Sequence, residues 1–530
     1  MTPFADLLER LLFSPGRNAK LALLQRYFET VPDPDRGLAL AAIAGALDFP
    51  AAKAGLIREL AAARTAPELF AMSYDYVGDL AETVALMWPT EGGAAAPRLS
   101  EVVAALRGTP KAQLPALVEA WLDACVPSVR LALLKLITGG LRVGATARLA
   151  KLALAGMSQG RVTDAEIEEI WHALAPPYET LFAWLEGRGS RPDAAGRPVF
   201  RPPMLANPIE DADLAALDVA DYVAEWKWDG IRVQVCGGTD PRLFSRAGED
   251  ISKSFPDIVA TLGHRAVLDG ELLVLRDGVV APFADLQQRL NRKAPGMAML
   301  ERYPAHVRLY DMLFEDAQDL RALPFAARRA RLEAWFARAA PSRADLSPLI
   351  AFARLDELVA LRAGAREAGI EGLMLKRTDS PYLPGRPRGL WWKWKRDPLT
   401  IDAVVMYAQR GHGRRSSFYS DFTFGVWDGD ALVPVGRAYS GISDRELAFL
   451  DNWVRHHTTA RFGPVREVEK SLVLEIAFDG AQRSTRHRSG IALRFPRIAR
   501  LRRDKPAAEA DTLAGVAVLI PARSISEAKE

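Results

Sequence analysis

The apolar residues of this 530-residue chain repeat with two different periods, and the change between them divides the sequence. As far as about residue 187, they recur at the three- and four-residue spacing of amphipathic helices. From about residue 203 they alternate with polar residues, which is the pattern of strands with one buried face. A chain of this length is also too long for one hydrophobic core, so the sequence predicts about three domains.

The first region is predicted to form an all-α domain over residues 1–190. Apolar residues at helical spacing fall within residues 4–12, 21–28, 38–47, 77–88, 114–125, 129–137 and 147–154. Residues 187–196 are rich in glycine, proline and charge, and they predict a linker to the next domain.

Strands dominate the rest of the chain. They are predicted at residues 222–226, 231–236, 267–275, 307–314, 372–376, 390–396, 401–407, 422–427, 432–435 and 472–478. Asp277-Gly278 indicates a tight hairpin, and a helix is predicted after Pro324. We therefore expect an α+β domain over residues 203–397. The strand-rich run that follows fits a small all-β barrel over residues 398–530.

Charge and cysteine content exclude some classes of protein without identifying a partner. The formal net charge of +3 and the pI of about 8.7 are only mildly basic. Cys125 and Cys236 have no cysteine or histidine cluster near them at zinc-ligand spacing, so we expect packed thiols in a reducing cytoplasm. No apolar run reaches membrane-spanning length and no signal segment follows Met1, which predicts a soluble intracellular protein without a membrane partner.

The strongest chemical signal lies at residues 225–232, which read Glu-Trp-Lys-Trp-Asp-Gly-Ile-Arg. Lys227 ends a predicted strand, and Asp229-Gly230 turns the chain into the next one. A lysine amine attacks phosphorus only when deprotonated, which nearby cations or desolvation favour. Cations that could do so are Arg232, Lys393 and Lys395. Taken alone, the motif fits an ordinary hairpin with an exposed lysine equally well.

Further short motifs follow in a fixed order and remove that ambiguity. Together with the first motif they are residues 225–232, 244–249, 268–271, 309–314, 371–376, 392–395, and 494–497 with 502–505. This ordered set resembles the covalent nucleotidyltransferase superfamily and, within it, the ATP-dependent DNA ligases. The fold that the resemblance implies is a multidomain one: an all-α DNA-binding domain, an α+β adenylation domain and an all-β OB-fold.

The resemblance implies that Lys227 accepts AMP from ATP. The nucleotide-binding residues that it implies are Glu225, Arg232, Arg246, Glu271, Tyr310, Lys393, Lys395, Arg502 and Lys505, with either Arg386 or Arg388 as a further arginine. Guanidinium groups suit ribose and phosphate oxygens because each can bind two at once. Tyr310 stands where many members stack phenylalanine on adenine, and its ring should also stack. Ala247 departs from the asparagine often found in the family, which leaves the contacts of that loop open.

Three pairs of charged residues are given more specific roles. The implied Mg²⁺ ligands are Glu271 and Glu371, because hard oxygens suit a cation that bridges phosphates. Lys393 and Lys395 lie two residues apart on a predicted strand, so both cations should project from one face. The plain alternatives are solvated surface carboxylates and a charged strand face. Arg502 and Lys505 match the family residues that orient the leaving pyrophosphate.

Two segments indicate DNA as the partner. Residues 136–145 resemble the glycine-rich turn of the ligase DNA-binding domain, in which backbone N–H groups meet phosphates. The DNA-binding residues that this implies are Gly139, Gly140, Arg142 and Gly144, although a glycine helix cap would account for the glycines alone. Residues 482–505 carry nine Arg or Lys and one Asp, a density that suits phosphate contacts.

The sequence thus predicts a monomeric, nucleoid-associated enzyme that seals nicks in duplex DNA. The layout, including residues 201–206, resembles a bacterial three-domain group linked with helicase and exonuclease genes, which implies a role in DNA repair and partners of those kinds. Two rivals stay open: an RNA ligase or GTP-using capping enzyme, and a catalytically silent clamp on nicked DNA.

Overall fold

The computed structural model describes residues 1–89, 92–194, 198–290, 292, 294–365, 370–411, 417–485 and 487–520. The chain divides into two compact units. The first unit is Met1–Ala353 with Met374–Lys393, and the second unit is Arg354–Leu373 with Trp394–Glu530. Within the described residues, no helix is both long and apolar enough to cross a membrane.

The first unit begins with twelve helices in its described part. They are α1 Thr2–Phe13, α2 Arg17–Thr30, α3 Asp35–Ile43, α4 Ala54–Arg64, α5 Pro67–Val77, α6 Leu80–Met87, α7 Leu99–Gly108, α8 Leu114–Ala124, α9 Pro127–Thr138, α10 Ala147–Met157, α11 Asp164–Trp171 and α12 Glu179–Leu185. Their apolar stripes meet in one core, where Phe4, Phe28, Leu122 and Phe182 are at most 1% exposed. The prediction of a helical region is confirmed.

The helical period predicted at residues 77–88 is confirmed by α6 at Leu80–Met87, but Val77 ends the preceding helix, so two helices meet in this segment. The first of them, α5, ends where Gly78 adopts a left-handed φ of 74°. The second, α6, then starts afresh, since the Asp79 side chain accepts the backbone N–H of Glu82 as an N-cap. The helix expected over residues 38–47 also ends early, at Ile43.

Two sheets follow. The strands are β1 Asn207–Pro208, β2 Tyr222–Lys227, β3 Ile231–Cys236, β4 Arg242–Ser245, β5 Ala266–Arg276, β6 Val279–Val280, β7 Ala305–Glu315, β8 Gln318–Asp319, β9 Ala344–Leu346, β10 Leu349–Ile350, β11 Gly372–Arg377 and β12 Trp391–Lys395. The helices among them are α13 Asp211–Ala215, α14 Pro256–Val259, α15 Phe283–Arg289, α16 Met297–Arg302, α17 Phe325–Ala339 and α18 Leu355–Gly364. One sheet has the order β1-β12-β11-β2-β10, and the other has β4-β3-β5-β7-β8, with β6 on β5 and β9 on β7.

Strands β2 and β3 belong to different sheets. The turn between them is therefore a crossing from one sheet to the other, and the reading of this segment as an ordinary hairpin is wrong. The hairpin predicted at Asp277-Gly278 is confirmed, since Leu275 pairs with Val280 across it and both turn residues have positive φ. Helix α17 packs across β7, where Arg328 binds the fully buried Asp311 through two hydrogen bonds of 2.9 Å.

The second unit is rich in antiparallel strands, as expected. They are β13 Leu399–Arg410, β14 Tyr419–Asp428, β15 Ala431–Ala438, β16 Thr458–Phe462, β17 Val465–Val468, β18 Val473–Phe478, β19 Gly480–Arg483, β20 Ile491–Arg494 and β21 Arg497–Arg502, with helices α19 Asp444–His456 and α20 Leu513–Val518. The long strand β13 pairs with β14 on one edge and with both β17 and β18 on the other, and β18 also pairs with β21. This arrangement brings β13, β18 and β21 side by side.

Candidate active site

Lys227 occupies the crossing between the two sheets. It is the last residue of β2 and is half-buried, and Gly230 comes immediately before β3. A Cβ at Gly230 would lie 2.5 Å from the Leu272 carbonyl oxygen and 2.8 Å from Cγ of Glu271, so only glycine lets the chain pass this close to β5. The crossing consequently holds Glu271 against the turn that carries Lys227.

Trp228, which follows Lys227 in the chain, is held by residues that the sequence did not single out. Trp228 donates its Nε1–H to Ser347 Oγ at 3.2 Å, and the Arg308 guanidinium lies 4.1 Å from its ring centre. Arg308 in turn donates two hydrogen bonds to Asp345, of 2.9 and 2.6 Å. Burial opposes ionisation of Asp345, but the hydrogen bonds from Arg308 and His306 hold its pKa at about 2. No local sequence signal connects these residues, because they lie in separate segments of the chain.

Arg232 is held in a buried network. Its Nη2 donates to Asp269 Oδ2 at 2.6 Å and to the Tyr382 hydroxyl at 3.1 Å, and its Nη1 donates to the Met204 carbonyl at 2.6 Å. Burial disfavours the charge on Arg232, but Asp269 outweighs this and raises the pKa of the guanidinium. Among the described residues its Nε–H has no partner, which leaves one donor for a ligand.

Tyr310 is presented by a β-bulge. On β5, Asp269 and Gly270 are consecutive, whereas their partners on β7 are Asp311 and Leu309, so Tyr310 is the extra residue. A bulge of this kind turns a side chain away from the regular alternation of the strand. The Tyr310 ring centre lies 5.8 Å from the Arg232 guanidinium.

Glu225 takes part in a buried ion pair beneath the same ring. Its Oε1 accepts a 2.8 Å hydrogen bond from Lys376 Nζ, and both side chains are 2% exposed. The Lys376 ammonium is 4.3 Å from the Tyr310 ring centre and also faces Phe325 and Trp391. Burial lowers the pKa of Lys376, and Glu225 opposes that shift. Sequence reasoning assigned Glu225 to the nucleotide and missed its pairing with Lys376.

Arg232 and Arg386 both lie within electrostatic range of Arg246. Loss of solvent and the positive charges of Arg232 and Arg386 lower the pKa of Arg246, which also lies within electrostatic range of Tyr310 and Glu271. Arg388 is in a different setting: its side chain is 84% exposed and its Nη2 lies 3.3 Å from Asp213. Of the two arginines that the sequence left as alternatives, Arg386 is the one that lies within electrostatic range of Arg246.

The helical region of the first unit touches the segment that carries Arg246. His172 Nε2 lies 2.6 Å from the Gly248 carbonyl oxygen, and its ring centre is 4.7 Å from that of Phe244 and 5.6 Å from that of Phe200. Burial lowers the pKa of His172. Position 172 was not expected from the sequence, because a histidine in a helical segment carries no signal of such a contact.

The predicted glycine-rich turn joins α9 to α10. Gly139 ends α9 with a φ of 70°, and Gly144 has a φ of 67°. Lys20 Nζ donates to the Val143 carbonyl at 2.9 Å, and a Cβ on Gly144 would lie 2.1 Å from that ammonium. Arg142 is exposed on the same turn, and Gly140 lies between them in the chain. The turn thus presents backbone and cations together, with Lys20 as an addition to the predicted set.

The remaining predicted residues divide between the units. Lys393 belongs to the first unit and is half-buried in β12. In the second unit, Lys395 Nζ lies 3.1 Å from Asp479 and 3.8 Å from Glu371. The Glu371 carboxylate is also 3.8 Å from Arg494.

No cluster of three or more histidine, cysteine or acidic side chains suited to a metal occurs in the part of the chain that the structure describes. Glu271 lies in the first unit and Glu371 in the second.

The two cations predicted near the chain end meet at one carboxylate of the second unit. Arg502 Nη1 and Lys505 Nζ each lie 2.8 Å from Asp402 Oδ2. Arg502 also pairs with Asp504 at 2.9 Å. The structure therefore brings Arg502 and Lys505 together at Asp402, which no sequence motif marked.

The chain was compared with known families and structures. Residues 203–395 match the family model described as "ATP dependent DNA ligase domain", and residues 415–505 match "ATP dependent DNA ligase C terminal region". A "Probable DNA ligase" of Koribacter versatilis is 38% identical over 72% of this chain and 70% of its own length. Another of that name, from Anaeromyxobacter, is 34% identical over 79% of this chain and 86% of its own.

A solved structure titled "Pmar-Lig_PreS3" shares the fold, with a TM-score of 0.58 and 17% identity over 94% of this chain and 99% of its own. Together with the two family matches, this likeness gives the chain the nucleotidyltransferase and OB-fold domains of DNA ligases. On these matches and on the site geometry, the chain belongs to the ATP-dependent DNA ligase family.

Proposed function

We propose that this chain joins the 5′-phosphate and 3′-hydroxyl ends of a nick in duplex DNA, through AMP carried on Lys227. The observation that carries the proposal is the setting of Lys227 at the sheet crossing. Arg232 lies on β3, directly after the crossing, Arg246 is within electrostatic range of Arg232, Arg386 and Tyr310, and Tyr310 is presented by its bulge. This is an arrangement of one amine, several phosphate-binding cations and one ring for a base.

In the first step the Lys227 amine attacks the α-phosphate of ATP. A P–N bond forms, the bond between the α-phosphorus and the bridging oxygen breaks, and pyrophosphate leaves with that oxygen. The Arg232 Nε–H and the Arg246 and Arg386 side chains would bind the nucleotide oxygens, and Tyr310 would stack on adenine. Arg502 and Lys505 would stabilise the departing pyrophosphate.

In the second step AMP moves from Lys227 to the 5′-phosphate at the nick. In the third, the 3′-hydroxyl attacks that phosphate and AMP departs. Such displacements depend on positioning and charge neutralisation more than on acid–base groups. The divalent cation used by the family would reduce the phosphate charge, with Glu271 and Glu371 as the proposed oxygen ligands and Mg²⁺ as the proposed ion; Lys393 and Lys395 would line the phosphate path.

The helical region is proposed to bind duplex DNA through the α9–α10 turn. Positive-φ Gly139 and Gly144, Gly140 between them, and exposed Arg142 support backbone and side-chain contacts to phosphates. On this proposal residues 1–190, 203–397 and 398–530 act as DNA-binding, adenylation and OB-fold domains of a monomer. A nucleoid location, a role in DNA repair and helicase or exonuclease partners belong to the same proposal.

The decisive experiment compares nucleotides and strands. Purified protein is given nicked DNA with ATP, GTP or NAD⁺, and in parallel a nick whose strands are RNA. We expect the protein to seal the DNA nick with ATP and not with GTP or NAD⁺. A GTP requirement or preference for RNA would favour a capping enzyme or RNA ligase, and DNA binding without any sealing would favour a silent clamp.

A further inference from the structure

Asp402 binds two cations with one oxygen atom. Arg502 Nη1 and Lys505 Nζ both lie 2.8 Å from its Oδ2. The Asp402 side chain is 12% exposed, and those of Arg502 and Lys505 are each 20% exposed. The second oxygen, Oδ1, has no hydrogen-bond partner among the described residues. All the charge neutralisation that Asp402 provides is thus directed at these two side chains.

The backbone of Asp402 is itself anchored. Its N–H donates to Asp511 Oδ2 at 2.9 Å, and the N–H of Asp511 donates back to the Asp402 carbonyl at 2.8 Å. Asp402 lies on β13 and Arg502 ends β21, with β18 paired between them. The carboxylate therefore has a fixed place from which to hold Arg502 at the end of β21 and Lys505 in the turn that follows.

The ion pair of Arg502 with Asp402 differs from its ion pair with Asp504. The Asp504 side chain is 68% exposed, and an ion pair in solvent holds a long flexible side chain only weakly. A shared, largely buried carboxylate instead sets the distance between two cationic groups and offsets the repulsion between them. Two cations held at a fixed separation match a ligand that carries several anionic oxygens.

We propose that Asp402 is a positioning residue for lysine adenylation. It holds Arg502 and Lys505 as a pair, so that both engage the pyrophosphate leaving group. This inference rests on the proposed function, in which those two cations act in the first step only. Asp402 itself does not touch the nucleotide.

The test separates the first step from the last in the full-length protein. Asp402→Asn keeps the shape of the side chain and removes its charge. We expect lysine adenylation to slow by about 10- to 100-fold, the usual cost of misplaced groups, with sealing of a chemically pre-adenylated nick within about twofold of normal. Asp402→Glu restores the charge one methylene further out and should recover part of the loss.

A matched control comes from the same unit. Asp451 is also 12% exposed at its side chain, accepts a 2.8 Å bond from Arg455 and caps the Tyr419 N–H at 2.8 Å. Asp451→Asn makes the same chemical change away from the two cations, so any effect on folding should slow both reactions equally. A structural role for Asp402 would give that same uniform loss.

A second arm reports on the coupling between residues. If Asp402 acts through Arg502, the double variant Asp402→Asn with Arg502→Ala should adenylate no more slowly than Arg502→Ala alone. Normal adenylation by Asp402→Asn while Arg502→Ala fails would overturn this inference alone, as would equal loss of both reactions. Normal adenylation by Arg502→Ala would instead locate the failure in the proposed function and would overturn the inference with it.

Discussion

Arg232 in the first unit and Arg502 in the second are both bound to an aspartate, yet their surroundings differ. Asp269, which binds Arg232, is 1% exposed, and the same guanidinium also reaches Tyr382 and the Met204 carbonyl. Arg502 shares Asp402 with Lys505 and has its other partner, Asp504, in solvent. The first ion pair is built on a fully buried aspartate, whereas the second is built on Asp402, which is 12% exposed. We therefore expect changes around Arg232 to affect stability and activity together, and changes at Arg502 to affect a single step.

The largest effect is expected at Lys227. Lys227→Ala removes the amine, and Lys227→Arg replaces it with a guanidinium that does not deprotonate usefully, so neither variant should form an acid-resistant AMP adduct. Labelled ATP and acid precipitation measure this. The thermal unfolding of each variant serves as the control. Its midpoint should change little because Lys227 is only half-buried. An acid-resistant adduct on either variant would refute the assignment.

Asp269→Ala tests the buried ion pair of Arg232. It leaves the Arg232 charge buried without its carboxylate, which typically costs about 3–5 kcal/mol of folding stability. Adenylation should fall with it, because Arg232 loses its orientation. Urea unfolding and adduct formation measure the two effects. If adenylation fell while stability stayed within about 1 kcal/mol of normal, Arg232 would not be the core element described above.

Arg502→Ala and Lys505→Ala test the ion pairs of the second unit. Each is expected to slow lysine adenylation by about 100-fold, as for loss of one transition-state donor, while sealing of a pre-adenylated nick stays near normal. Stability should change less than in Asp269→Ala, since the Arg502 and Lys505 side chains are each 20% exposed, whereas that of Asp269 is 1% exposed. Glu371→Gln is the contrasting variant and should fail in both assays, because the metal supports phosphodiester formation as well. Equal loss of both activities in a folded Arg502 variant would end the one-step role.

Arg142 extends the comparison to a cation that is exposed on the α9–α10 turn. Arg142→Ala should weaken nick binding only a few-fold at low salt. It should also reduce the slope of log affinity against log salt by about 0.9, the value for one phosphate contact. Fluorescence anisotropy over a salt series gives the slope. An unchanged slope would remove Arg142 from the DNA-binding set.

The smallest effect concerns His172, the buried contact of the helical region. Because burial lowers its pKa, the unfolded chain takes up a proton more readily than the folded one. The stability contributed by neutral His172 is therefore present above about pH 6.5 and is lost as the pH falls below that value. Lys151, Glu168 and Asp250 supply the nearby charges, the first lowering the pKa further and the other two opposing it.

His172→Phe removes this titration. As the pH falls below about 6.5, the variant should lose less unfolding free energy than the unmodified protein. The difference should be under about 1.4 kcal/mol per pH unit. Identical pH profiles for the two proteins would show that the contact is not sensitive to protonation.

Much of the fold could be predicted because local patterns determine it. The change of apolar period located the helical region, and the β2 and β3 segments were found nearly to the residue. What could not be predicted is which sheet each strand joins, since pairing depends on contacts far apart in the chain. For that reason the turn after Lys227 could be read as a hairpin, although it crosses between sheets.

The site divides in the same way. Motif spacing pointed to Lys227, Arg232 and Tyr310, because these residues lie within short ordered segments. Asp402 and His172 are single residues on other elements, and only the fold brings them to their partners. That Arg386, and not the exposed Arg388, lies within electrostatic range of Arg246 likewise depends on the fold.

The most direct test of the central claim is to find the residue that carries AMP. Purified protein is incubated with ATP and a divalent cation without DNA, digested, and mapped by mass spectrometry; the adduct is then chased with nicked DNA. We expect one AMP on the peptide containing Lys227, formed from ATP and not from GTP, and we expect it to disappear as the nick is sealed. AMP on another residue, or an adduct at Lys227 that survives while nicks are sealed, would show that Lys227 is not the AMP carrier.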